Sequence, residues 1–278
     1  PFTLIDYFPK PLHGFIDDIR AHRLHREIVA TVLCNEMINI LGPSFPLRLQ
    51  KAAAVDAGAL ALSFEGARRL FGTDALWAEV SALDTQIPAA AQTALYNAIA
   101  TFLRRQVYFI ARRFAGRPET LTEVINSYQT GIATLLSAQG VLSPNEAARV
   151  EGRAQKLITA GAPEDLARRV SALLSWTSAI DMVDLAEDGD VIAAARLYLA
   201  TGERFGFDRL RAGAGELYSA DPWDRMAIRR LIEDIYAEQK SVVAAVRRDA
   251  QGLETWAEAK AAQVAPLQSL LEIGRAHV

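Results

Sequence analysis

The sequence has very little cysteine, since Cys34 is the only one among its 278 residues. One cysteine cannot form an internal disulfide, so a disulfide-stabilised secreted scaffold is excluded and a reducing compartment is expected. The first residues also lack the basic segment and the continuous apolar segment of a secretory signal peptide. We therefore predict a cytoplasmic protein.

The sequence also lacks an excess of either charge and any long, purely apolar run. There are 30 Lys and Arg residues and 33 Asp and Glu residues, so the net charge is −3. Two uncharged stretches, 85–103 and 124–145, have the length of a membrane span, but polar residues occur throughout them. We predict core helices there, and neither a membrane nor a nucleic acid as partner. The strongest basic cluster is predicted to be a solvated or interface face: Arg104, Arg105, Arg112, Arg113 and Arg117.

The motifs that usually carry chemistry are missing. A dinucleotide-binding fingerprint needs glycines in a G-x-G-x-x-G pattern after a strand. The one G-x-G, Gly213 to Gly215, follows helical sequence and has Tyr218 in place of the third glycine. No phosphate-binding Gly-Lys pair and no H-E-x-x-H, C-x-x-C or G-x-S-x-G motif occurs. We predict no catalytic and no cofactor-binding residue in this chain.

Histidines and carboxylates are the remaining candidates for metal ligands. His13, His22 and His25 lie close together in the sequence, and His22 and His25 could share a helix face. Ordinary positions on the surface or at helix ends account for all three equally well. The acidic run at 181–190 lacks the oxygen spacing of a calcium loop. We predict no metal site; Asp190 should cap the next helix, and the other acidic side chains should face water.

What the sequence does contain is helical periodicity. Apolar residues recur mainly at helical spacing, and no alternating β-branched run has a hairpin turn beside it. We predict an all-α fold of ten to twelve helices, with long amphipathic helices at 87–114 and 222–248 and a last helix at 253–271. Capping-box patterns that begin at Thr120 and at Ser143 predict two further helix starts.

One stretch, residues 28–47, carries Glu36 as its only charge. A helix that is apolar on nearly all sides belongs in the interior of a protein. Within it Thr31, Asn35 and Asn39 form one narrow polar line at spacings of four residues. Buried amides need hydrogen-bond partners, so we expect interhelical hydrogen bonds there. Contact with a ligand or a neighbouring subunit is the alternative.

The N-terminal segment carries aromatic residues without an obvious local core. Tyr7, Phe8 and Phe15 lie there together with Leu12. Exposed aromatic and aliphatic side chains in a cluster usually mark an interface. We therefore predict that residues 1–48 form a contact surface.

Several dispersed stretches resemble one known family in the same order along the chain. They resemble the C-terminal region of the large bacterial NAD-specific glutamate dehydrogenases, and the resemblance spans about residues 1–270. The stretches are Asp6-Tyr-Phe-Pro-Lys-Pro-Leu12, His22-Arg-Leu-His-Arg-Glu-Ile-Val-Ala-Thr31, Asn35-Glu-Met-Ile-Asn39, Phe207-Asp-Arg-Leu-Arg211 and Trp223-Asp-Arg-Met-Ala227.

The resemblance implies a parent enzyme that oxidatively deaminates L-glutamate to 2-oxoglutarate and ammonium. It implies that the glutamate-binding lysines and the NAD site lie upstream of Pro1, so no catalytic or NAD-binding residue is carried over. The expected partners are the upstream catalytic domain of the same chain and further copies in a homo-oligomer. Residues 1–20 would follow the catalytic domain, and two helical subdomains would occupy 21–139 and 140–271.

Residues 272–278 are a separate feature. The heptapeptide Glu-Ile-Gly-Arg-Ala-His-Val resembles translated sequencing-adapter DNA, so we predict a non-native tail. A frayed helix end with Gly274 as its cap is the alternative.

Two other functions stay open for this chain. One is a stand-alone helical adaptor, and the other is a module that binds an amino-acid effector near Thr31, Asn35 and Asn39.

Overall fold

The computed structural model describes residues 5, 8–114, 118–138, 140–186, 189–217 and 219–248. These residues form thirteen α-helices and no strand, so the all-α prediction is confirmed. Two of the thirteen, α1 and α10, are only five and six residues long. The α-helices are α1 (Ile16–Arg20), α2 (His25–Leu41), α3 (Phe45–Ala53), α4 (Ala57–Phe71), α5 (Thr73–Ala82), α6 (Ala89–Phe114), α7 (Pro118–Ser137), α8 (Pro144–Thr159), α9 (Glu164–Leu173), α10 (Ala179–Asp184), α11 (Val191–Arg204), α12 (Phe207–Glu216) and α13 (Pro222–Arg248), with 3-10 helices at Lys10–Phe15 and Leu174–Trp176.

The chain divides into two compact units. The described residues up to Gln129 belong to the first unit together with Val150–Thr177, and Thr130–Arg149 and the residues from Ser178 onward belong to the second. The predicted subdomain boundary at residue 140 stays a prediction.

The first unit is built around α6, the long helix predicted at 87–114. Its apolar stripe packs chiefly against α4 and also against α2, α5 and α9. Leu95, Ile99 and Ile110 have no exposed surface, as helical spacing predicts. Between α4 and α6 the rings of Phe71 and Phe102 meet edge to face with their centroids 4.8 Å apart. The predicted buried face of this helix is confirmed.

The second unit packs α11 and α12 against α13, whose bounds match the prediction of a helix at 222–248. Ile235, Val242 and Val243 from its apolar stripe are fully buried. Phe207 and Leu210 of α12 complete this core. The apolar spacing of α13 therefore decided both its length and its packing face.

Local capping chemistry sets several helix starts. The Ser143 hydroxyl accepts a hydrogen bond from the Glu146 amide at 3.2 Å, and Asp190 accepts one from the Ala193 amide at 2.9 Å, so both predicted caps are confirmed. Helix α7 begins at Pro118, two residues before the predicted start at Thr120.

The predicted helix at 253–271 and the predicted tail at 272–278 lie outside the described residues.

Candidate interaction surface

The polar line on α2 lies on the surface, contrary to prediction. Thr31, Asn35 and Asn39 are all exposed, so the prediction of an interior helix is wrong on this face. The opposite side of α2 is buried, with Met37 at 5% and Leu41 at 1% exposure. Both stripes contain few charges, so composition alone could not tell which one faces the core.

Large apolar side chains are exposed in the same region. Leu12 is 43%, Phe15 60%, Leu24 44% and Leu47 59% exposed. Phe8 is only half-buried and its ring lies edge-on to the ring of His22, with 6.1 Å between the centroids. Tyr7, also predicted to make an interface contact, lies outside the described residues. We call residues 8–48, with these exposed apolar side chains and the polar line of α2, the N-terminal surface.

The N-terminal histidines hold the local backbone. His13 Nε2 hydrogen-bonds the Phe8 carbonyl oxygen at 2.8 Å, and His25 Nδ1 hydrogen-bonds the Arg20 carbonyl oxygen at 2.8 Å. Nowhere in the described ranges do three or more His, Cys, Asp or Glu side chains come together in a group that could hold a metal ion. In this structure His13, in the 3-10 helix Lys10–Phe15, and His25, the first residue of α2, act as hydrogen-bonding residues.

Two residues of the acidic run pair with a lysine in the second unit, Asp181 fully and Asp184 partly buried. Asp181 is only 3% exposed, and Lys240 Nζ of α13 lies 2.8 Å from its Oδ1 and also bonds Asp184. The prediction that these two side chains face water is therefore wrong. The sequence holds no local signal for this contact, because Lys240 lies 56 residues beyond Asp184.

A chain of polar contacts continues from this ion pair through the second unit. Gln239 is fully buried and donates from Nε2 to the Tyr198 carbonyl oxygen at 2.8 Å, while its Oε1 accepts from Arg211. Arg211 also bonds Asp208 and lies over the Tyr236 ring, 4.5 Å from its centroid.

The same network reaches α8. Arg149 bonds Asp208 at 3.1 Å and Glu146 at 2.7 Å. Burial raises the pKa of the Tyr198 phenol, and the nearby Asp181 carboxylate raises it further. The contacts join five helices, α8 and α10 to α13, through matched charges and hydrogen bonds, so they act as a structural network. Sequence reasoning missed it because its members are spread over about a hundred residues.

Comparison with known proteins identifies the family. Residues 2–276 match the family model described as "Glutamate dehydrogenase, C-terminal". The chain therefore belongs to this family of C-terminal glutamate dehydrogenase regions.

Curated relatives agree with this assignment. The chain is 27% identical over 260 residues to the NAD-specific glutamate dehydrogenase of Halomonas elongata, covering 90% of this chain and 16% of that protein. It is 28% identical over 284 residues to the enzyme of that name from Mycobacterium tuberculosis, covering 97% of this chain and 17% of the relative. It is 24% identical over 242 residues to the protein of the same name from Pseudomonas aeruginosa, covering 86% of this chain and 15% of that protein. The chain thus spans about a sixth of the length of these relatives.

Proposed function

We propose that this chain is the non-catalytic, C-terminal helical part of an NAD-dependent glutamate dehydrogenase that deaminates L-glutamate to 2-oxoglutarate and ammonium. Family membership and the names of the relatives support the parent activity. In this proposal NAD binds outside the chain. The chain itself packs against the upstream catalytic domain and neighbouring subunits and transmits allosteric signals between them.

One observation carries the packing role. Four of the five large apolar side chains exposed in the described part of the chain belong to the N-terminal surface, and only Trp223 lies elsewhere. Large exposed apolar side chains concentrated in one stretch of the chain are typical of protein-interaction sites. The polar line of α2 adds uncharged groups, which a partner can cover without desolvating a full charge. The surface is therefore suited to another folded polypeptide.

The proposal is tested by binding to the upstream polypeptide of the same reading frame. The chain and the upstream polypeptide would be produced together, and their dissociation constant measured by surface plasmon resonance. Burying a Phe or Leu side chain is worth about 1.5–3 kcal/mol. The double substitution Phe15→Ser with Leu47→Ser should therefore weaken binding at least about tenfold.

The matched control is Trp223→Ser, because Trp223 is even more exposed, at 74%, but lies outside the N-terminal surface. Its dissociation constant should stay within about twofold of the unaltered chain. A stable, monomeric chain that does not bind the upstream polypeptide at all would show that the packing role is wrong. Equal losses in both variants would show that the contact lies elsewhere.

A further inference from the structure

Two arginines are anchored at the turn between α2 and α3. Arg104 comes from α6 and donates from Nε to the Leu41 carbonyl oxygen at 3.0 Å. Arg48 lies on α3 and donates from Nε to the Ser44 carbonyl oxygen at 3.3 Å. Both guanidinium groups are thus anchored, by one nitrogen each, to carbonyls only three residues apart.

Within the described part of the chain, the anchoring leaves the outer ends of both side chains without a hydrogen-bond partner. A guanidinium group has five N–H donors, and only the Nε–H of each arginine makes a hydrogen bond within the described ranges. No carboxylate of the described residues lies within ion-pair distance of Arg48 or Arg104. Four N–H donors on each arginine therefore remain available at the turn.

Arg104 differs from Arg68, another half-buried arginine of this unit. Burial lowers the pKa of Arg104, and the positive charge of Arg48 lowers it further. For Arg68 burial has the same effect, yet its pKa is raised because Asp74 and Glu36 both bond it. Arg48 and Arg104 therefore carry like charges close enough to affect each other, and within the described ranges neither has a carboxylate partner such as those of Arg68.

We propose that Arg48 and Arg104 together bind a carboxylate group at the α2–α3 turn. A carboxylate accepts several hydrogen bonds, and a guanidinium group matches its two oxygens in a bidentate pair. The bound group supplies the negative charge that these two arginines lack. Their Nε anchors preorganise the pair, so little side-chain entropy is lost on binding.

The carboxylate can come from two sources. One is a free dicarboxylate in solution. The other is an Asp or Glu side chain of the polypeptide that covers the N-terminal surface, and this source rests on the proposed function. Leu47 lies beside Arg48 in the sequence and is 59% exposed, so an acidic group could approach together with an apolar contact.

The test uses Arg48→Gln and Arg104→Gln in the 278-residue chain, with Arg196→Gln as control because Arg196 is exposed on α11 in the other unit. Calorimetry with malonate probes the free carboxylate, and surface plasmon resonance with the upstream polypeptide probes the side-chain source. Circular dichroism verifies that each variant keeps its helix content, since Arg104 also caps the end of α2.

Saturable malonate binding that weakens at least tenfold in both Gln variants, and not in Arg196→Gln, supports a site for a free carboxylate. No malonate binding, with at least tenfold weaker binding of the upstream polypeptide in both variants, supports the side-chain source. Absence of both effects overturns the site.

If Phe15→Ser with Leu47→Ser weakens the complex while neither Gln variant has any effect, the packing role stands and the carboxylate site fails. If malonate binding depends on both arginines but the upstream polypeptide does not bind, the site stands and the packing role fails.

Discussion

Lys240 shows how a single residue can hold the second unit together. Its ammonium group lies between Asp181 and Asp184, and the Asp181 side chain is only 4% exposed. Burying charges is costly unless opposite charges meet in good geometry, and removing one member of such a group costs far more than the intact group contributes. The two carboxylates therefore share Lys240 as a counter-charge in the folded chain.

Lys240→Met should lower the free energy of unfolding by about 3 kcal/mol, because both carboxylates lose their shared ammonium group in a poorly solvated place. Urea unfolding followed by circular dichroism measures the change. Arg230→Met is the matched control: Arg230 faces Asp234 at 3.9 Å on the same helix, with side chains 77% and 55% exposed. Exposed pairs contribute less than about 1 kcal/mol. Equal effects of both substitutions would contradict the structural role of Lys240.

At the scale of the helices, Gly202 explains how α11 approaches its neighbours. It lies within α11, where glycine is unfavourable because its backbone loses more entropy than that of alanine. A methyl group at this position would lie 2.8 Å from Gln239 Nε2 and 3.0 Å from Asp208 Oδ1. The missing side chain thus makes room for the polar network between α11, α12 and α13.

Gly202→Ala should destabilise the chain by about 1–3 kcal/mol, because the added methyl group displaces the buried Gln239 side chain from its hydrogen bonds. Gly152→Ala should act in the opposite direction. Gly152 lies in α8 with nothing within 4 Å of an added methyl group, so alanine should stabilise the helix by about 0.5–1 kcal/mol. Thermal and urea unfolding of both variants measure the two effects. A stabilising Gly202→Ala would show that the close approach is absent.

At the scale of the whole molecule, the distribution of exposed apolar groups is uneven. The cores of both units are well buried, with Leu95 and Ile235 fully inaccessible. The N-terminal surface nevertheless keeps large aliphatic and aromatic side chains in water. Such exposure is unfavourable for a chain that acts alone and is expected where a partner covers the surface.

The isolated chain should therefore self-associate through the N-terminal surface. Sedimentation velocity at increasing concentration should show the average mass rising for the unaltered chain. The double substitution Phe15→Ser with Leu47→Ser should remove most of this rise, because it removes the two most exposed apolar side chains of the N-terminal surface. Trp223→Ser should leave it unchanged. A monomer at every concentration for the unaltered chain would contradict this prediction.

Much of the fold followed from local patterns, whereas the contacts at the candidate surface and in the network did not. The periodicity of α6 and α13 predicted their bounds within two residues, and the caps at Ser143 and Asp190 involve residues three apart. Such signals are local, so they can be read without knowing the neighbours of a helix. Which side of α2 is exposed depends instead on which other helices pack against it.

The sequence by itself determined the all-α class, the long helices, the capped starts and the family, because each rests on spacing or on an ordered series of short matches. Only the tertiary structure decided that Thr31, Asn35 and Asn39 face outward and that Lys240 joins Asp181. It also decided that Arg104 reaches the Leu41 carbonyl, 63 residues away in the chain. Charge pairing and exposure depend on distant segments meeting in space, and no local spacing encodes which segments meet.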